Sequence, residues 1–465
     1  MLRFAITSLT QWAQETKPKP LILRGARQVG KSTLVRKLCE SLKMDLVEIN
    51  LEIKKIKELE NTDNFQIERV VDEIQVLTGA RLTENSLLFL DEVQEQPIAL
   101  NRLRYFYEDL PGLRVIAAGS LLEVVMEKES FSMPVGRVEY FHLGPMTFYE
   151  FLHAKGEHVA LEQLQQLSTE RPPTHALHLK AADLLKEYYY VGGMPEAVKT
   201  FVATGDRTRV RKVQISIIQS YRDDIPKYTK GKQGKLVLDV FEYTAANLGQ
   251  DKVIFSKISG KNSKLVREAI DLLSMAGVVH KVSHSNCSEL PLSAGSDGSS
   301  IKLFFLDVGL YNATQQVGWS DLFYLSAEQL LTKGSMAEQF VAQHLKFLTP
   351  DGQRRDLYYW LREQKKGAAE VDFVLPLNSV IYPVEVKSGA SGKMRSLWQY
   401  IAEKKTKHAI RVDLKLRKKL ISDIDHQIKT KDGISRVKCK LLGVPVYATE
   451  SLHSLVSEAV SESRG

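Results

Sequence analysis

The feature of this sequence that most constrains the fold is a glycine-rich loop between an apolar strand and an amphipathic helix. Gly25-Ala26-Arg27-Gln28-Val29-Gly30-Lys31-Ser32 fits the pattern G-x-x-x-x-G-K-[ST], and Thr33 follows it. The loop comes after the apolar run Leu21–Arg24 and opens a helix predicted at Lys31–Leu42. The two glycines let the backbone wrap phosphate oxygens, while the helix N-terminus offers unpaired N–H groups and a partial positive charge. We therefore expect ATP here, with Lys31 on the β- and γ-phosphates and Ser32 on Mg²⁺.

A second motif of the same kind follows further along the chain. The apolar residues Leu87-Leu88-Phe89-Leu90 precede Asp91-Glu92, a pattern typical of a buried parallel strand that ends in two carboxylates. Asp91 is predicted to coordinate Mg²⁺ and Glu92 to activate the attacking water. Together with the glycine-rich loop, this strand end predicts an ATP-hydrolysing enzyme.

Two further residues are candidates for the hydrolysis step. Arg114–Ala118 predicts another buried strand, and Ser120 stands just after its end. Ser120 is placed either to sense the γ-phosphate and polarise water or to cap a helix predicted at 121–127. Arg137, in Val135-Gly136-Arg137-Val138, is either an arginine finger for a neighbouring subunit of a homo-oligomer or a surface residue in a turn.

Several segments together resemble one prokaryotic group of proteins. They are Gly-Ala-Arg-Gln-Val-Gly-Lys-Ser-Thr at the loop, Leu-Asp-Glu-Val-Gln, Ala-Gly-Ser, Gly-Arg-Val followed by Leu-Gly-Pro-Met-Thr-Phe-Tyr-Glu-Phe, and Tyr-Val-Gly-Gly-Met-Pro-Glu. The sequence resembles the AAA-type ATPases, close to the archaeal-type ATPases, whose C-terminal half is a domain of unknown function. Outside residues 284–300 the resemblance covers nearly the whole chain. It implies that Gly30, Lys31, Ser32, Asp91 and Glu92 carry nucleotide binding and hydrolysis. The Asn that the group usually has at its sensor strand end is not evident here.

The order of apolar runs and amphipathic stretches predicts an α/β chain of four parts. These are an AAA-type P-loop domain with a parallel sheet at 1–160, a helical lid at 161–225, a winged-helix domain at 226–315 and an α+β domain at 316–465 that resembles restriction endonucleases. Predicted strands of the first part are Leu21–Arg24, 46–50, 86–90 and Arg114–Ala118. The Ser- and Gly-rich stretch 284–300 predicts an exposed loop.

The winged-helix prediction rests on residues 255–282. A short helix, a glycine turn and a second helix precede a strand that begins near Gly277. In a winged helix the second helix would present Lys261, Lys264 and Arg267 to a DNA groove. The alternative is that the module contacts protein or packs against a neighbouring domain.

The C-terminal part contains a candidate second catalytic site. Two alternating runs, 370–375 and 380–387, predict a β-hairpin, on which Glu385 and Lys387 share a face with Asp372 of the partner strand. These three residues match the acidic, acidic and lysine positions of the PD-(D/E)XK nuclease core, and Glu338 on a predicted helix adds a carboxylate. One hypothesis is that Glu338, Asp372 and Glu385 bind Mg²⁺ for phosphodiester cleavage. The other is a catalytically inactive nuclease fold in a nucleotide-dependent regulatory or protein-interaction module.

The positive charge of the chain is concentrated behind this hairpin. The net charge is +8, and residues 401–440 contain 13 Lys and Arg against 5 Asp and Glu. Such a stripe indicates either a phosphate-binding surface for DNA, with salt-sensitive and sequence-independent contacts, or a solvated face. The basic residues close enough to form that surface are Lys404, Lys405, Lys407, Arg411, Lys415, Arg417, Lys418 and Lys419.

The remaining features concern compartment and class. The composition, 43% hydrophobic and 26% charged, excludes wholesale disorder and a disulfide scaffold. Cys39, Cys287 and Cys439 are too widely spaced for a zinc cluster and are expected to be reduced thiols. The first 20 residues lack a signal-peptide pattern, and no apolar run is long enough to span a membrane. We expect a cytoplasmic protein.

Overall fold

A computed structural model describes residues 1–120, 134–228, 232–248, 252–260, 263–296, 298, 300–326, 329, 334–347, 352–362, 369–387, 394–430 and 433–461. The helices in these residues are α1 Ala5–Ala13, α2 Lys31–Leu42, α3 Ile67–Thr78, α4 Ile98–Asp109, α5 Phe148–Lys155, α6 His158–Gln165, α7 His175–Val191, α8 Pro195–Thr204, α9 Arg207–Tyr228, α10 Lys232–Ala246, α11 Phe255–Ser259, α12 Ser263–Met275, α13 Val308–Thr314, α14 Trp319–Phe323, α15 Gly334–Phe347, α16 Arg395–Lys404 and α17 Leu452–Ser461. The strands are β1 Leu21–Arg24, β2 Asp45–Asn50, β3 Ser86–Asp91, β4 Arg114–Ala118, β5 Glu139–His142, β6 Val279–His284, β7 Ile301–Phe305, β8 Leu357–Arg362, β9 Ala369–Leu377, β10 Val380–Val386, β11 His408–Asp413, β12 Ile421–Thr430 and β13 Gly433–Pro445.

The first sheet is parallel throughout and has the order β2-β3-β4-β1-β5. Along β1, Leu21 and Leu23 face one hydrophobic core and Ile22 faces another on the opposite side of the sheet. Both faces are therefore covered, which is why its central strands β1, β3 and β4 are apolar runs rather than alternating ones. The carboxyl ends of β1, β3 and β4 meet at one edge, where ligands bind in open α/β sheets.

Helices α5 to α9 follow the first sheet and pack in the same core as one of its faces. The start of α5 is fixed by a capping box, in which Thr147 and Glu150 exchange side-chain and backbone hydrogen bonds. Glu150 also pairs with Arg3 at 2.9 Å, which ties the start of the chain to α5. Arg3 Nη1 also donates to the Val29 carbonyl at 2.9 Å, so these contacts tie α5 to the loop that follows β1.

The second sheet is mixed and has the order β12-β13-β11-β10-β9-β8-β6-β7. Strands β6 and β7 form an antiparallel hairpin, and β6 pairs in parallel with β8 of the C-terminal part. Helix α15 lies against this sheet, with Phe340 and Val341 fully buried. The residues predicted as a winged-helix domain and as a nuclease-like domain thus share one continuous sheet across the expected boundary at 315/316.

Most of the predicted local elements are present. Helix α2 and strands β1 and β4 have the predicted bounds, and the helix, turn, helix and strand expected at 255–282 are α11, α12 and β6. The winged-helix identity of that unit stays a prediction, and Lys261 lies outside the described residues. Strand β5 was not predicted, because Glu139–His142 has no apolar run to signal it.

The stretch 284–300 is less exposed than predicted. Ser285, Cys287 and Leu292 are buried, and the Ser285 hydroxyl donates to the Leu292 carbonyl at 2.8 Å. Cys287 and Leu292 pack in a core with Trp360 of β8. The expectation of an exposed loop was therefore wrong for these residues, because short apolar side chains in a Ser-rich stretch give no periodic signal.

Two smaller findings concern the thiols and membrane insertion. Cys39, Cys287 and Cys439 are free and buried, and burial raises the pKa of each to about 11. Among the helices in the described part of the chain, none combines the length and apolarity needed to cross a bilayer.

Candidate functional site

The loop between β1 and α2 has the backbone that its glycines predict. Gly25 and Gly30 have φ angles of 146° and 94°, in the region that side chains rarely adopt. A Cβ atom on Gly25 would overlap the Leu143 carbonyl oxygen, and one on Gly30 would lie 3.4 Å from Pro195. The loop is therefore enclosed on both sides, and its first position has no room for any residue but glycine.

Lys31 points back into this loop. Its Nζ atom donates to the carbonyl oxygens of Gly25 and Ala26 at 2.9 and 3.0 Å. Burial lowers the pKa of Lys31 to about 8, although Glu92 and Asp91 act in the opposite direction. A buried ammonium held only by carbonyl groups would gain from an anion, since a phosphate oxygen compensates its lost solvation far better.

The two predicted magnesium ligands of the P-loop domain are adjacent. The Ser32 hydroxyl donates to Asp91 Oδ2 at 2.8 Å, and the Glu92 backbone N–H donates to Asp91 Oδ1 at 3.0 Å. Burial raises the pKa of Asp91, which the Ser32 hydrogen bond partly offsets. A hydroxyl and a carboxylate, both oxygen donors, suit Mg²⁺, which is usually held by one or two protein oxygens together with phosphate oxygens. Ser32 and Asp91 therefore fit the ion.

Glu92 follows directly at the end of β3. Its φ angle is 51°, a left-handed conformation that turns the chain sharply out of the sheet. The side chain accepts a hydrogen bond from Gln94 Nε2 at 2.5 Å through Oε2. Non-glycine residues in this conformation often occur at functional sites, where surrounding structure compensates the strain.

Ser120 and Arg137 lie at opposite ends of the first sheet. Ser120 lines a cleft with Gly25 and Ala26, so it is beside the loop, while the helix predicted after it falls outside the described residues. Arg137 precedes β5 at the other edge, because β5 runs parallel to β1 and pairs Leu21 with Glu139. There it pairs with Glu108 at 2.7 Å. Arg137 is thus far from the loop of its own chain, and its role toward a neighbouring subunit stays a prediction.

Helix α9 lies over the middle of the loop, a contact that the sequence did not reveal. Arg27 Nη1 lies 2.7 and 2.5 Å from the two carboxylate oxygens of Asp224. The Tyr221 hydroxyl donates to the Arg27 carbonyl at 2.7 Å, and Gln28 Nε2 donates to Ser220 Oγ at 2.8 Å. In sequence, only Ser220, Tyr221 and Asp224 mark this helix face, and such a set is too common to be a signal.

A pocket that the sequence also did not reveal lies on the other side of the loop. It is bounded by Gly30, Thr33 and Leu34 at the start of α2, and by Met146 and Pro195. Its wall mixes apolar side chains with polar ones, as sites for small heterocyclic ligands commonly do.

The Gly192-Gly193-Met194-Pro195 segment is fixed by a buried carboxylate. Asp307 Oδ2 accepts from the Gly193 backbone N–H at 2.6 Å, and its Oδ1 caps α13 by accepting from Leu310 N at 3.0 Å. Burial raises the pKa of Asp307 to about 6, against the effect of these hydrogen bonds. The contact places Pro195 against Gly30 and so connects the loop to α13.

In the C-terminal part, the structure brings the predicted carboxylates together. Asp372 Oδ2 accepts from the Val386 backbone N–H at 2.7 Å, and Glu385 pairs with Lys387. Burial, together with the charge of Asp372, raises the pKa of Glu338 and of Glu385 to about 8. Strands β9 and β10 pair antiparallel with Val384 opposite Phe373, so the predicted hairpin is confirmed and Asp372 and Glu385 lie on one face of it.

Two members of this cluster were missed by the sequence. Lys302 on β7 is buried and pairs with Glu370. Although burial opposes its charged form, Glu338, Glu370 and Asp372 raise the pKa of Lys302. Lys302 comes from another strand hairpin, so no local pattern links it to Glu370.

The cluster does not have the geometry of a metal site. In the residues that the structure describes, no three Asp, Glu, His or Cys side chains are arranged to hold an ion. Glu370 and Glu385 each pair with a lysine instead. Glu338, Asp372 and Glu385 therefore do not fit Mg²⁺ in this conformation, and their metal role stays a prediction.

The basic stripe is divided between the surface and the interior. Arg411 and Arg417 pair with the buried Asp413 at 2.5 and 2.7 Å, with side chains only 12% and 14% exposed. Their inclusion in a phosphate-binding surface was wrong, because a buried carboxylate already neutralises them. Among the stripe's described residues, the exposed lysines are Lys405, Lys407, Lys415, Lys418, Lys419 and Lys438, of which Lys419 pairs with Glu170 at 2.8 Å.

The predicted groove-reading face of α12 is also only partly available. Lys264 is exposed, whereas Arg267 donates to the Gly298 carbonyl and stacks on Phe255 with a centroid distance of 4.5 Å. Arg267 thus has a structural role within its own unit.

Comparison with solved structures gives partial superpositions only. The Aeropyrum pernix ORC2 protein in ADPNP-ADP complexes has a TM-score of 0.36 and 12% identity, over 68% of this chain and 94% of that chain. The Thermotoga maritima RuvB Holliday junction branch migration motor has a TM-score of 0.29 and 14% identity, over 60% and 89%. PCH-2 of C. elegans has a TM-score of 0.27 and 12% identity, over 44% and 62%.

Comparison with sequence families divides the chain into three matched regions. Among curated proteins, none matches this chain. Residues 182–321 and 333–442 match two domains of unknown function, DUF8612 and DUF4143. Residues 17–152 match an AAA domain, and they contain the loop, Asp91, Glu92 and Ser120. Residues 17–152, the N-terminal part of this chain, are therefore similar to AAA domains.

Proposed function

We propose that the chain binds ATP with Mg²⁺ at the loop 25–32 and hydrolyses it. One observation carries the proposal: the Ser32 hydroxyl and the Asp91 carboxylate, 59 residues apart in sequence, are 2.8 Å from each other. Two separate motifs whose chemistry requires a common ion are thus neighbours in space. An AAA domain over the same residues supports this reading.

The side chains divide the work of hydrolysis. Mg²⁺, when bound, neutralises charge on the β- and γ-phosphates. The backbone N–H groups of the loop hold phosphate oxygens, and the Lys31 ammonium turns from two carbonyls to the phosphates. Glu92 takes a proton from the attacking water, whose oxygen bonds to the γ-phosphorus as the bond to the β,γ-bridging oxygen breaks. ADP and inorganic phosphate are the products.

The pocket beside the loop supplies a place for the nucleobase. Pro195 offers apolar surface in front of the buried Leu34 and Met146, and Thr33 stands at the start of α2 next to the phosphate-binding residues. A base bound there would lie next to phosphates held by the loop.

Turnover of the purified full chain tests the central proposal. Lys31→Ala should abolish ATP binding, whereas Glu92→Gln should retain binding and lose hydrolysis, because only the proton transfer is removed. The matched control is Glu95→Gln, a nearby exposed carboxylate on the same turn. Equal ATP turnover in wild type and Glu92→Gln would contradict the assignment of Glu92 as the residue that takes a proton from water.

Action on DNA is a further proposal, supported by the exposed lysines of the stripe. Lys415 and Lys418 lie on one surface segment between β11 and β12. Replacing both with Ala should reduce DNA retention and its salt dependence, since each phosphate contact releases counterions. Arg411→Ala is not a suitable control, because it removes a guanidinium that pairs with the buried Asp413. Lys264→Ala on α12 tests the other predicted DNA surface. Unchanged retention in both variants would argue against DNA as partner.

The alternative is a nucleotide-dependent regulatory or protein-interaction module with an inactive nuclease fold. It is favoured by the pairing of Lys387 with Glu385, because one oxygen of a carboxylate that the metal would need is bonded to an ammonium instead. Incubating the chain with labelled DNA and RNA and Mg²⁺, with Asp372→Ala as control, separates the two. If the wild type cleaves DNA or RNA and Asp372→Ala does not, the nuclease hypothesis is supported. If neither protein cleaves any of these substrates, the alternative is supported.

A further inference from the structure

We propose that Arg354, from the segment between α15 and β8, contacts the γ-phosphate of ATP bound to the same chain. The hydrolytic site is then completed in cis by the C-terminal part, without an arginine from a second subunit. This inference rests on the proposed function, and it assigns the residue that stabilises charge on the transferred phosphoryl group.

The position of Arg354 is the first argument. Arg354 lines a cleft together with Gly25 and Ala26 of the phosphate loop and with Gly119 and Ser120 at the end of β4. This cleft is at the carboxyl edge of the parallel sheet, between the loop that holds phosphates and the strand end that faces a γ-phosphate in P-loop ATPases. A guanidinium in this cleft is on the side of the loop away from the base pocket at Thr33 and Pro195.

The backbone around Arg354 is docked on the AAA domain. The carbonyl of Gly352 accepts a hydrogen bond from His142 N at 2.7 Å, at the end of β5. Gly352 has a φ of 66°, and a Cβ atom there would overlap the Phe141 ring. The Arg355 N–H donates to the Lys346 carbonyl at 3.0 Å. The segment therefore has a fixed position relative to the sheet edge.

The Arg354 side chain is oriented as well. Its Nη1 atom donates to the Ser274 carbonyl at 2.9 Å near the end of α12. Met275 and Gly277, which follow, line the same cleft, and a Cβ atom on Gly277 would be 3.4 Å from the Ala26 backbone nitrogen. The guanidinium thus sits where the AAA domain, the α12 unit and the C-terminal part meet. An arginine so positioned stabilises developing charge without first being ordered.

The described lining of the cleft suits an anion. It includes the guanidinium groups of Arg24 and Arg354 and contains no Asp or Glu. These groups and the backbone N–H groups of the loop are hydrogen-bond donors from which a phosphate accepts. Arg137, the sequence-predicted finger, is at the opposite edge of the sheet and pairs with Glu108.

Arg354→Ala, Arg354→Lys and Arg355→Ala test the assignment. Arg355 is adjacent in the same segment but does not line the cleft. For each full-length variant, kcat is measured over a range of protein concentrations. The thermal midpoint is also measured with ADP and with a non-hydrolysable ATP analogue, each with Mg²⁺.

Arg354→Ala should lower kcat by about 10²- to 10³-fold. It should also remove the extra thermal stabilisation that the ATP analogue gives over ADP, while the shift caused by ADP is kept. Arg354→Lys keeps the charge and a donor for Ser274, so its kcat should lie between those of Arg354→Ala and the wild type. Arg355→Ala should have the kcat and thermal shifts of the wild type. Because the finger acts in cis, kcat per chain should not depend on protein concentration, and Arg137→Ala should leave it unchanged.

Three outcomes would overturn the inference. One is an Arg354→Ala variant whose kcat and ATP-over-ADP stabilisation equal those of the wild type. Another is a loss of the ADP shift in that variant, which would mean a structural role only. The third is a kcat that rises with protein concentration and disappears in Arg137→Ala. A wild type with neither turnover nor any nucleotide-induced shift would instead contradict the proposed function itself, and the inference with it.

Discussion

Arg27 of the phosphate loop and Asp224 of helix α9, 197 residues apart in sequence, form an ion pair in which one guanidinium nitrogen lies 2.7 and 2.5 Å from the two carboxylate oxygens. The Arg27 side chain is 44% exposed, whereas that of Asp224 is 6% exposed. The pair connects α9 directly to the loop 25–32. Any movement of the loop on nucleotide binding must therefore be transmitted to α9 or break this contact.

Arg27→Ala should destabilise the protein by about 1–3 kcal/mol, because it leaves the buried carboxylate of Asp224 without its cationic partner. Asp224→Ala should cost less, since the half-exposed Arg27 can turn to water. The double variant should therefore be more stable than the sum of the two single effects predicts, as measured by urea unfolding. The exposed pair Arg36 and Glu48 is the control and should show a coupling of less than about 1 kcal/mol. Additive effects of Arg27 and Asp224 would contradict the ion pair.

Nucleotide affinity should fall at alkaline pH. The pKa of Lys31 in the nucleotide-free protein is lowered to about 8 by burial, so its ammonium loses a proton as the pH rises above that value. A bound phosphate stabilises the charged form, so binding takes up a proton. The affinity for ADP with Mg²⁺ should decrease by up to about tenfold per pH unit above about pH 8.

Lys31→Arg provides the control for that pH profile. A guanidinium stays charged throughout this range, so the affinity of the variant, although weaker, should be nearly independent of pH. Titration calorimetry at several pH values measures both proteins. A wild-type profile as flat as that of Lys31→Arg would show that Lys31 does not titrate there.

Glu450 should make the protein less stable as the pH rises from about 4.5 to about 8. Burial raises the pKa of Glu450 from the ordinary 4.5 to about 8, although the Tyr149 N–H donates to it at 2.7 Å. The folded state therefore holds a proton that the unfolded state has lost, and this stabilisation disappears as the pH passes through the folded pKa.

The comparison with Glu450→Gln isolates this effect, since glutamine keeps the acceptor oxygen and cannot ionise. The free energy of unfolding should fall less steeply over that pH range in the variant. The raised pKa of Asp307, to about 6, contributes to both proteins and cancels in the difference. The free energy of unfolding is measured with urea at several pH values. If it depends on pH in the same way in wild type and Glu450→Gln, a buried, protonated Glu450 is contradicted.

Gly25→Ala should destabilise the protein by at least about 3 kcal/mol and prevent nucleotide binding. The substitution combines a φ of 146° with an overlap between the new Cβ and the Leu143 carbonyl oxygen. Gly79, at the end of α3, has a φ of 71° and open space around its Cβ position. Gly79→Ala should therefore cost only about 1–2 kcal/mol, the cost of the left-handed conformation alone. If Gly25→Ala and Gly79→Ala lower the free energy of unfolding equally in thermal unfolding, the overlap with the Leu143 carbonyl oxygen does not contribute to the cost.

The backbone of the loop 25–32 and the position of Asp91 at a strand end were predictable because their signals are local. Gly25, Gly30 and Lys31 are fixed by backbone conformation and helix geometry within one strand-loop-helix unit, and Asp91 is marked by the apolar strand before it. The hairpin that brings Asp372 to Glu385 was predictable for the same reason, since alternation along two adjacent strands sets their shared face. Strand β5, with its short and mixed composition, carries no such signal.

Contacts between distant segments were not predictable. Asp224, Arg354 and Lys302 each occupy their sites through packing of separate units, and nothing in their local sequence distinguishes them from surface residues. The basic stripe shows the same limit in reverse, because Arg411 and Arg417 look like surface charges until Asp413 is seen to be buried between them. Charge counts along a chain do not say which side chains face water.

The sequence by itself determined the strand, glycine-rich loop and helix at residues 21–42, since glycine torsions, the apolar run of β1 and the amphipathic pattern of α2 are properties of contiguous residues. Only the tertiary structure decided what surrounds the loop: Asp224 of α9 on Arg27, Pro195 beside Gly30, and Arg354 in the cleft with Ser120. The physical reason is that hydrophobic burial, which brings these units together, is non-directional. Which polar groups meet across such interfaces depends on the whole packed arrangement.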